Sequence, residues 1–133
     1  MAWLKRLPDG SPSGVTTLPR VERQAISLRT SVVTLIGDHD ARMRGRLLEE
    51  LSRTTYVPHL IIDLTPCTFI DSTIIATLLR CRRFGARQVE LVVPDEGQVS
   101  RALGLAGVDI LACVHSTLEE ALCGEPSTPW RSP

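Results

Sequence analysis

The sequence predicts an α/β fold in one domain, with a mixed, mostly parallel sheet of about five strands and with four helices. The chain has 133 residues, which is the size of a single domain. Short apolar runs alternate with segments whose apolar residues recur every three or four positions, and such repeats build parallel sheets covered by helices. Apolar residues make up 43% of the chain and aromatic ones only 4%, so aliphatic side chains must fill the core.

The first half of the predicted domain opens with two strands. Ala25–Leu28 and Val32–Ile36 are apolar runs, and the polar residues between them predict a turn. Gly37–Asp40 is predicted to be a polar loop, and 3–4 spacing of apolar residues predicts a helix from Ala41 to about Thr54. Leu60–Leu64 is nearly continuously apolar, which is typical of a strand covered on both faces.

The second half repeats this alternation. A loop, Thr65–Asp71, leads into a helix from Ser72 to about Phe84, and arginines in its last turns complement the helix dipole. Thr117 is the expected cap of the last helix, and Glu120 stands at the capping-box position. The remaining elements are a strand at Val89–Val93, a helix at Glu96–Leu105, a strand at Leu111–Val114 and a helix at Thr117–Leu122.

Both ends of the chain are predicted to be flexible tails. Proline and glycine interrupt any periodicity in residues 1–20 and 124–133, which leaves residues 21–123 as the domain. Basic and acidic residues number 15 each and form no basic stripe, so no direct nucleic-acid partner is expected. The chain lacks a run of about 18 apolar residues and the apolar stretch of a secretory signal, so we expect a cytoplasmic protein without membrane contact.

The cysteines and histidines carry no recognisable metal motif. The chain contains four cysteines, Cys67, Cys81, Cys113 and Cys123. None form a C-x-x-C pair and none has a histidine at zinc-ligand spacing, so we expect buried, reduced thiols, with no metal and no cofactor. His59 begins a predicted strand and His115 ends one, and both are expected to be structural or surface residues.

The loop before the second helix carries the candidate site. Asp71 and Ser72 both suit a helix start, because a side-chain oxygen there accepts a free backbone N–H, and one interpretation is that they simply cap the helix. The other interpretation uses the exposure of Ser72 at the positive end of the helix, where a phosphate can be accommodated. A phosphoserine adds about −1.5 to −2 charges and would repel a partner fitted to the unmodified hydroxyl.

The motifs follow one another in an order that resembles a STAS domain of the anti-sigma factor antagonist type. The resemblance covers about ninety residues, from Val32 to Leu122. It rests on Gly37-Asp38-His39-Asp40, Leu60-Ile61-Ile62-Asp63-Leu64, Phe69-Ile70-Asp71-Ser72-Thr73, Leu91-Val92-Val93-Pro94 and the segment Val99–Val108. The resemblance implies that the chain binds an anti-sigma factor with serine kinase activity, that phosphorylation of Ser72 releases this partner, and that a phosphatase reverses the modification. Regulation of sigma-factor-dependent transcription would follow.

The resemblance also implies a set of partner-binding residues. It places Asp40 near Ser72, with Asp71 as the direct neighbour of the serine. The predicted partner-binding residues are Asp38, Asp40, Arg42, Asp71, Ser72, Thr73 and Ile74. Arg42 is either a solvated cation or one that meets an acidic partner surface. The family usually continues with Gly-Leu-Gly, whereas this chain has Ile74-Ile75-Ala76, and added bulk there would alter the choice of partner.

Two other functions stay open at the sequence level. The first is a STAS module without a switch, which binds a ligand or scaffolds a transport, lipid or stress-signalling complex. The second is an enzyme that uses Ser72 as a nucleophile, for which His39 on the neighbouring loop could approach as a base. No G-x-S-x-G surrounds Ser72, so we expect a binding protein and not an enzyme. Homodimerisation is a further open question.

Overall fold

Six strands and four α-helices make up the part of the chain that the computed structural model describes, which is residues 18–81, 88–107 and 113–123. The strands are β1 Arg20–Ala25, β2 Thr30–His39, β3 His59–Asp63, β4 Cys67–Ile70, β5 Gln88–Val92 and β6 Cys113–His115. The helices are α1 Arg44–Ser52, α2 Ser72–Arg80, α3 Gln98–Leu105 and α4 Leu118–Cys123, with a 3-10 turn at Ala41–Met43 before α1. None of these helices has the length and apolar character needed to cross a membrane.

The strands join in the order β1-β2-β3-β5-β6, and β4 pairs with β2 outside this path. Only β1 runs antiparallel to its neighbour; every other pairing in the described sheet is parallel. The predicted α/β class and the mixed, mostly parallel sheet are therefore confirmed. The parallel arrangement follows from the helical crossovers between successive strands.

The sheet buries side chains on both faces, and alternation along each strand divides them. Leu60 and Ile62 of β3 point into the larger core, which they share with Leu47 of α1 and Leu78 of α2. Ile61 points to the opposite face, where a smaller apolar cluster includes Ala121 of α4. The predicted two-sided burial of this strand is confirmed.

The first strand lies earlier in the chain than predicted. Ala25–Leu28 is not a strand: β1 ends at Ala25, and the turn to β2 follows, where the backbone N–H of Ile26 donates to the carbonyl of Thr30. β1 is an edge strand in which Val21 alone is buried. Its other side chains are polar or solvent-facing, so it lacks the apolar run on which the prediction depended.

Two predicted loops prove to be paired strands. β2 continues through Gly37 to His39, and the segment predicted as the loop Thr65–Asp71 contains β4. The first half of β2 pairs with β3, and its last residues pair with β4 beyond an irregularity between Gly37 and Asp38. Gly37 has a positive φ of 85°, a backbone conformation that favours glycine at this irregularity.

The remaining element boundaries shift by a few residues. The helix predicted from Glu96 begins at Gln98, directly after Gly97, whose φ of 111° is not helical. In α4 the backbone N–H of Glu120 donates to Thr117 Oγ1 over 3.1 Å, which confirms the predicted cap. The predicted helix end at Phe84, the strand start at Leu111 and most of both predicted tails lie outside the described residues.

Candidate functional site

The pairing of β4 with β2 brings the two candidate loops together. His39 at the end of β2 is in register with Ile70 at the end of β4. Because the two strands are parallel, their carboxyl ends lie at the same edge of the sheet, and the next residues, Asp40 and Asp71, emerge side by side. This edge is where partner and ligand sites gather in open α/β sheets.

Asp71 joins the two loops through one carboxylate. Its Oδ1 accepts the backbone N–H of Ile74 over 3.0 Å, which caps the N-terminus of α2. Its Oδ2 accepts the backbone N–H of Ala41 over 3.0 Å, thirty residues earlier in the chain. The start of α2 is thereby fixed to the turn that leads into α1.

Ser72 is the first residue of α2, and its side chain is exposed. Asp71 provides the cap, so the open question of which residue caps this helix is answered. The Ser72 hydroxyl makes no hydrogen bond to another of the described residues. The first backbone N–H groups of any α-helix lack an acceptor within the helix, so the surroundings of this hydroxyl suit an anion.

Asp40 and Arg42 form an ion pair next to this helix start. The Arg42 Nη2 lies 2.9 Å from Asp40 Oδ2, and the Arg42 backbone N–H donates to Asp40 Oδ1 over 2.9 Å. These bonds lower the pKa of Asp40 and raise that of Arg42. The Arg42 side chain is 89% exposed, so it remains accessible to another molecule despite the pair.

Asp38 and Phe69 extend the surface along the strands. Asp38 is in register with Phe69 and accepts a hydrogen bond from the hydroxyl of Thr68. Phe69 is 38% exposed and is one of several large apolar side chains of the described residues that face solvent. The Phe69 side chain was not among the predicted partner-binding residues, although an aromatic residue in a polar loop motif could have indicated it. We call this surface the Ser72 face; it comprises the exposed Asp38, Arg42, Phe69 and Ser72 and the half-buried Asp40 and Thr73.

The outer edge of β4 is held by a side chain and not by another strand. The amide of Gln98 accepts the backbone N–H of Ile70 over 3.0 Å and donates to the carbonyl of Ile70 over 2.9 Å. Gln98 is the first residue of α3, so this pair of bonds fixes the helix start against the strand that leads to Ser72. A side-chain amide satisfies here the backbone groups that an edge strand leaves open.

Ile74 does not belong to this surface. Its side chain is completely buried in the larger core, and that of Ile75 is only 8% exposed. The predicted role of Ile74 in partner binding is wrong, because helical geometry turns both isoleucines inward from the helix start. Their bulk fills the core instead of obstructing a docking protein.

His39 is also buried, although it follows a polar sequence. Its ring is fully inaccessible, and Nε2 lies 3.0 Å from the carbonyl oxygen of Ile36 in the same strand. Burial lowers the pKa of His39, and the nearby Asp38 and Asp40 only partly oppose this. A ring held in this way is part of the fold and is not accessible to solvent.

The cysteines differ in exposure. Cys67, Cys81 and Cys113 are buried as predicted, whereas Cys123 is exposed at the end of the short helix α4. Burial raises the pKa of Cys67 to about 12, so this thiol stays protonated at neutral pH.

A second polar group lies on the opposite face of the sheet from α2. Glu90 of β5 is completely buried there, between His59 of β3 and His115 of β6, with Cys113 beside it. His59 was predicted to be a structural or surface residue, as was His115, and both prove to be structural. Glu90 was predicted only as part of a buried strand, and no polar contact across the sheet was predicted.

Comparison with models of known protein families identifies one that matches this chain. The family model of the STAS domain matches residues 21–121. A comparison with curated protein sequences found no significant match.

Solved structures share the fold. A crystal structure of an anti-sigma factor antagonist from Mycobacterium paratuberculosis is 24% identical, with a TM-score of 0.64 over 79% of this chain and 90% of the other. The anti-sigma factor antagonist SpoIIAA in its unphosphorylated form is 20% identical, with a TM-score of 0.65 over 77% of this chain and 93% of the other. The phosphorylated form of SpoIIAA, described as a Bacillus cell fate determinant, is 18% identical, with a TM-score of 0.57 over 77% and 96%.

Proposed function

The chain belongs to the STAS domain family, and on this basis we propose that it is a cytoplasmic anti-sigma factor antagonist switched by phosphorylation of Ser72. In its unmodified form it binds an anti-sigma factor with serine kinase activity and so frees a sigma factor for transcription. Phosphorylation of Ser72 ends this binding, and a phosphatase restores it.

One observation carries the proposal: the Ser72 hydroxyl is exposed at the N-terminus of α2 while Asp71 performs the capping. A serine that caps its own helix is held by the backbone, and modifying it would disturb the helix start. Ser72 is free of that role, so a kinase can reach it and the fold does not depend on it. Support also comes from SpoIIAA, which shares this fold and has been solved in unphosphorylated and phosphorylated forms.

The phosphate changes the surface more than the fold. At the N-terminus of α2 the helix dipole and the first backbone amides favour a negative group. At the same time the dianion adds its charge beside Asp71, Asp40 and Asp38, where Arg42 is the nearby cation of the Ser72 face. A partner that accepts the small neutral hydroxyl is then repelled by charge and excluded by size.

Phe69 and Arg42 provide complementary features for docking. Exposed aromatic and arginine side chains are enriched among the residues that dominate binding energy at protein interfaces. Phe69 lies next to Asp38 in the paired strands, and Arg42 reaches outward from the turn that Asp71 holds. The Ser72 face therefore combines an apolar anchor, a cation and the acceptor hydroxyl.

The modification is tested by incubating the full chain with its cognate kinase and ATP and mapping the phosphate by mass spectrometry. We expect one phosphate on Ser72, none on the Ser72→Ala variant, and normal modification of the control variant Ser100→Ala, which loses a hydroxyl on α3. Phosphate that persists in Ser72→Ala at another residue would reject the site.

The switch itself is tested by measuring anti-sigma factor binding before and after phosphorylation. We expect the phosphorylated chain and the Ser72→Glu variant to bind at least about tenfold more weakly than Ser72→Ala, which corresponds to about 1.4 kcal/mol. The variant Ser100→Glu places the same charge on α3 and serves as the control. Equal binding by all of these proteins would favour a STAS module without a switch.

A further inference from the structure

A buried polar cluster on the sheet face opposite α2 contains four groups that can ligate a metal ion. Glu90 lies in β5, His59 in β3, and Cys113 and His115 in β6, so three neighbouring strands contribute. Glu90 is in register with Ile61 of β3 and Cys113 of β6. His59 lies two residues before Ile61 in β3, and His115 lies two residues after Cys113 in β6. Side chains two residues apart in a strand share a face, which explains how the four come together.

The donor atoms of Glu90, Cys113 and His115 lie close together, and His59 contacts the other carboxylate oxygen of Glu90. The Nε2 of His59 lies 2.5 Å from Glu90 Oε2, the Nε2 of His115 contacts Glu90 Oε1, and the Sγ of Cys113 lies 3.4 Å from that same Nε2. Single ligand atoms of Glu90, Cys113 and His115 all lie within 4.8 Å of one another. Four ligands around a tetrahedral zinc ion are separated by about 3.3 to 3.8 Å, so the sulfur–nitrogen spacing already fits.

We propose that Glu90, Cys113 and His115 form a structural site for Zn²⁺, with His59 as a fourth ligand that reaches the ion by moving away from Glu90 Oε2. Carboxylate, thiolate and imidazole are the ligand types that zinc accepts, and four protein ligands leave no open position for catalysis. The alternative is a network of hydrogen bonds alone, with no affinity for metal.

The charges favour a divalent ion at this position. Glu90 is inaccessible to solvent, and an ionised carboxylate is costly to bury unless it is paired. Zn²⁺ bound to one carboxylate and one thiolate gives a site with no net charge.

The proton balance is simple. On binding, the Cys113 thiol loses its proton to solvent and its sulfur bonds to the ion. Each imidazole proton shifts from Nε2 to Nδ1, which frees Nε2 as a ligand and separates the rings from the Glu90 carboxylate. The hydroxyl oxygen of Thr30 lies 3.3 Å from Nδ1 of His59 and can accept a hydrogen bond from the new Nδ1–H. This bond would hold the ring in its metal-binding tautomer.

The cluster is partly open to solvent. The side chains of His59 and His115 are 20% and 12% exposed, whereas Glu90 is not exposed. The cluster therefore touches solvent at its histidines and is closed behind Glu90. Bound zinc would link β3, β5 and β6 and would raise the melting temperature by an amount that grows with the logarithm of the zinc concentration divided by Kd.

The test uses the untagged full chain, reduced and freed of metal by a chelator. Zn²⁺ is titrated in competition with a chromophoric chelator, and Co²⁺ is added as a spectroscopic substitute. We expect one ion per chain, a higher melting temperature with Zn²⁺, and Co²⁺ bands typical of tetrahedral coordination with thiolate-to-metal charge transfer. Less than one ion per chain would overturn the proposal.

Variants assign the ligands. Cys113→Ser should abolish the charge-transfer band, and His115→Gln should weaken zinc binding at least about tenfold, whereas Cys123→Ser should bind like the parent. Should the first two fail to fold by circular dichroism, His59→Gln at the exposed edge decides: a loss of about tenfold or more supports the site. Parental affinity in the folded ligand variants would show a hydrogen-bonded network only and overturn the site.

Discussion

Asp71 accepts a hydrogen bond from the backbone amide of Ala41, thirty residues earlier in the chain. The same carboxylate caps α2, so one side chain sets both the start of the helix and its distance from the neighbouring turn. These two bonds also fix the position of Ser72, the next residue in the chain. The geometry of the acceptor hydroxyl is thus decided by its neighbour.

Removing the Asp71 carboxylate should destabilise the fold. We expect Asp71→Ala to lower the free energy of unfolding by about 1 to 2 kcal/mol, because it removes an N-cap and a second bond. Asp71→Asn should lower the free energy of unfolding by less, because the amide oxygen can still accept one of the two hydrogen bonds. Urea denaturation measures both, and a cost for Asp71→Ala no larger than that of the exposed Asp38→Asn would contradict this role.

The side chain of Gln98 should stabilise β4, the strand that leads to Ser72, and slow hydrogen exchange of its Ile70 amide. Replacing it by alanine leaves both backbone groups of Ile70 without their partner, which we expect to cost about 1 to 2 kcal/mol of unfolding free energy. Hydrogen exchange of the Ile70 amide should accelerate in Gln98→Ala but much less in Gln98→Glu, which keeps the acceptor. The exposed Gln24→Ala is the control, and unchanged exchange in Gln98→Ala would refute the contact.

Ile74 should behave as a core residue. We expect Ile74→Ala to cost about 2 to 5 kcal/mol and Ile74→Val about 0.5 to 1.5, because each deleted methylene leaves a cavity. Anti-sigma factor binding by folded Ile74→Val should remain at the parental level. Thermal unfolding measures the stability of the variants, and a titration with the anti-sigma factor measures their binding. An Ile74→Ala protein that keeps its stability and loses binding would show that Ile74 contacts the partner and is not a core residue.

Arg42 should influence association and not stability. Its side chain is 89% exposed, and exposed ion pairs contribute little to folding, so Arg42→Gln should keep the parental melting temperature. A partner surface that repels the phosphate is acidic and therefore attracts the Arg42 cation. We expect Arg42→Gln to associate more slowly with the partner, with an association rate that depends less on salt concentration. Stopped-flow kinetics measure this, with Arg53→Gln at the other end of α1 as the matched control. Equal rates would remove Arg42 from the interface.

His39 should make the fold sensitive to mild acid. Burial lowers the pKa of His39 in the folded state below its ordinary 6.5, so the unfolded chain takes up a proton that the folded chain refuses. The stabilisation is present above pH 6.5 and declines as the pH falls below it, by at most about 1.4 kcal/mol per pH unit.

Urea denaturation from pH 7.5 to 5 tests this dependence. The variant His39→Gln cannot titrate there and should show a flatter curve than the parent. A parental slope in His39→Gln would place the acid sensitivity elsewhere.

The local pattern along the chain determined most of the fold. The alternation of apolar runs and helical periodicity placed four of the six described strands and all four α-helices to within a few residues. The cap at Thr117 and the start of α2 at Ser72 were also readable, because capping depends on residues only a few positions apart. The resemblance to the STAS family followed from the same motifs in order.

Contacts between distant residues were decided by the tertiary structure. β4 is short and polar on one side, and only its pairing with the end of β2 makes it a strand. That pairing buries His39, brings Asp71 to Ala41 and leaves Phe69 exposed, and β-sheet register across three strands joins Glu90 to two histidines. Helix caps and periodicity are local interactions, whereas strand register depends on partners far apart in sequence, which is why the first could be predicted and the second required the folded chain.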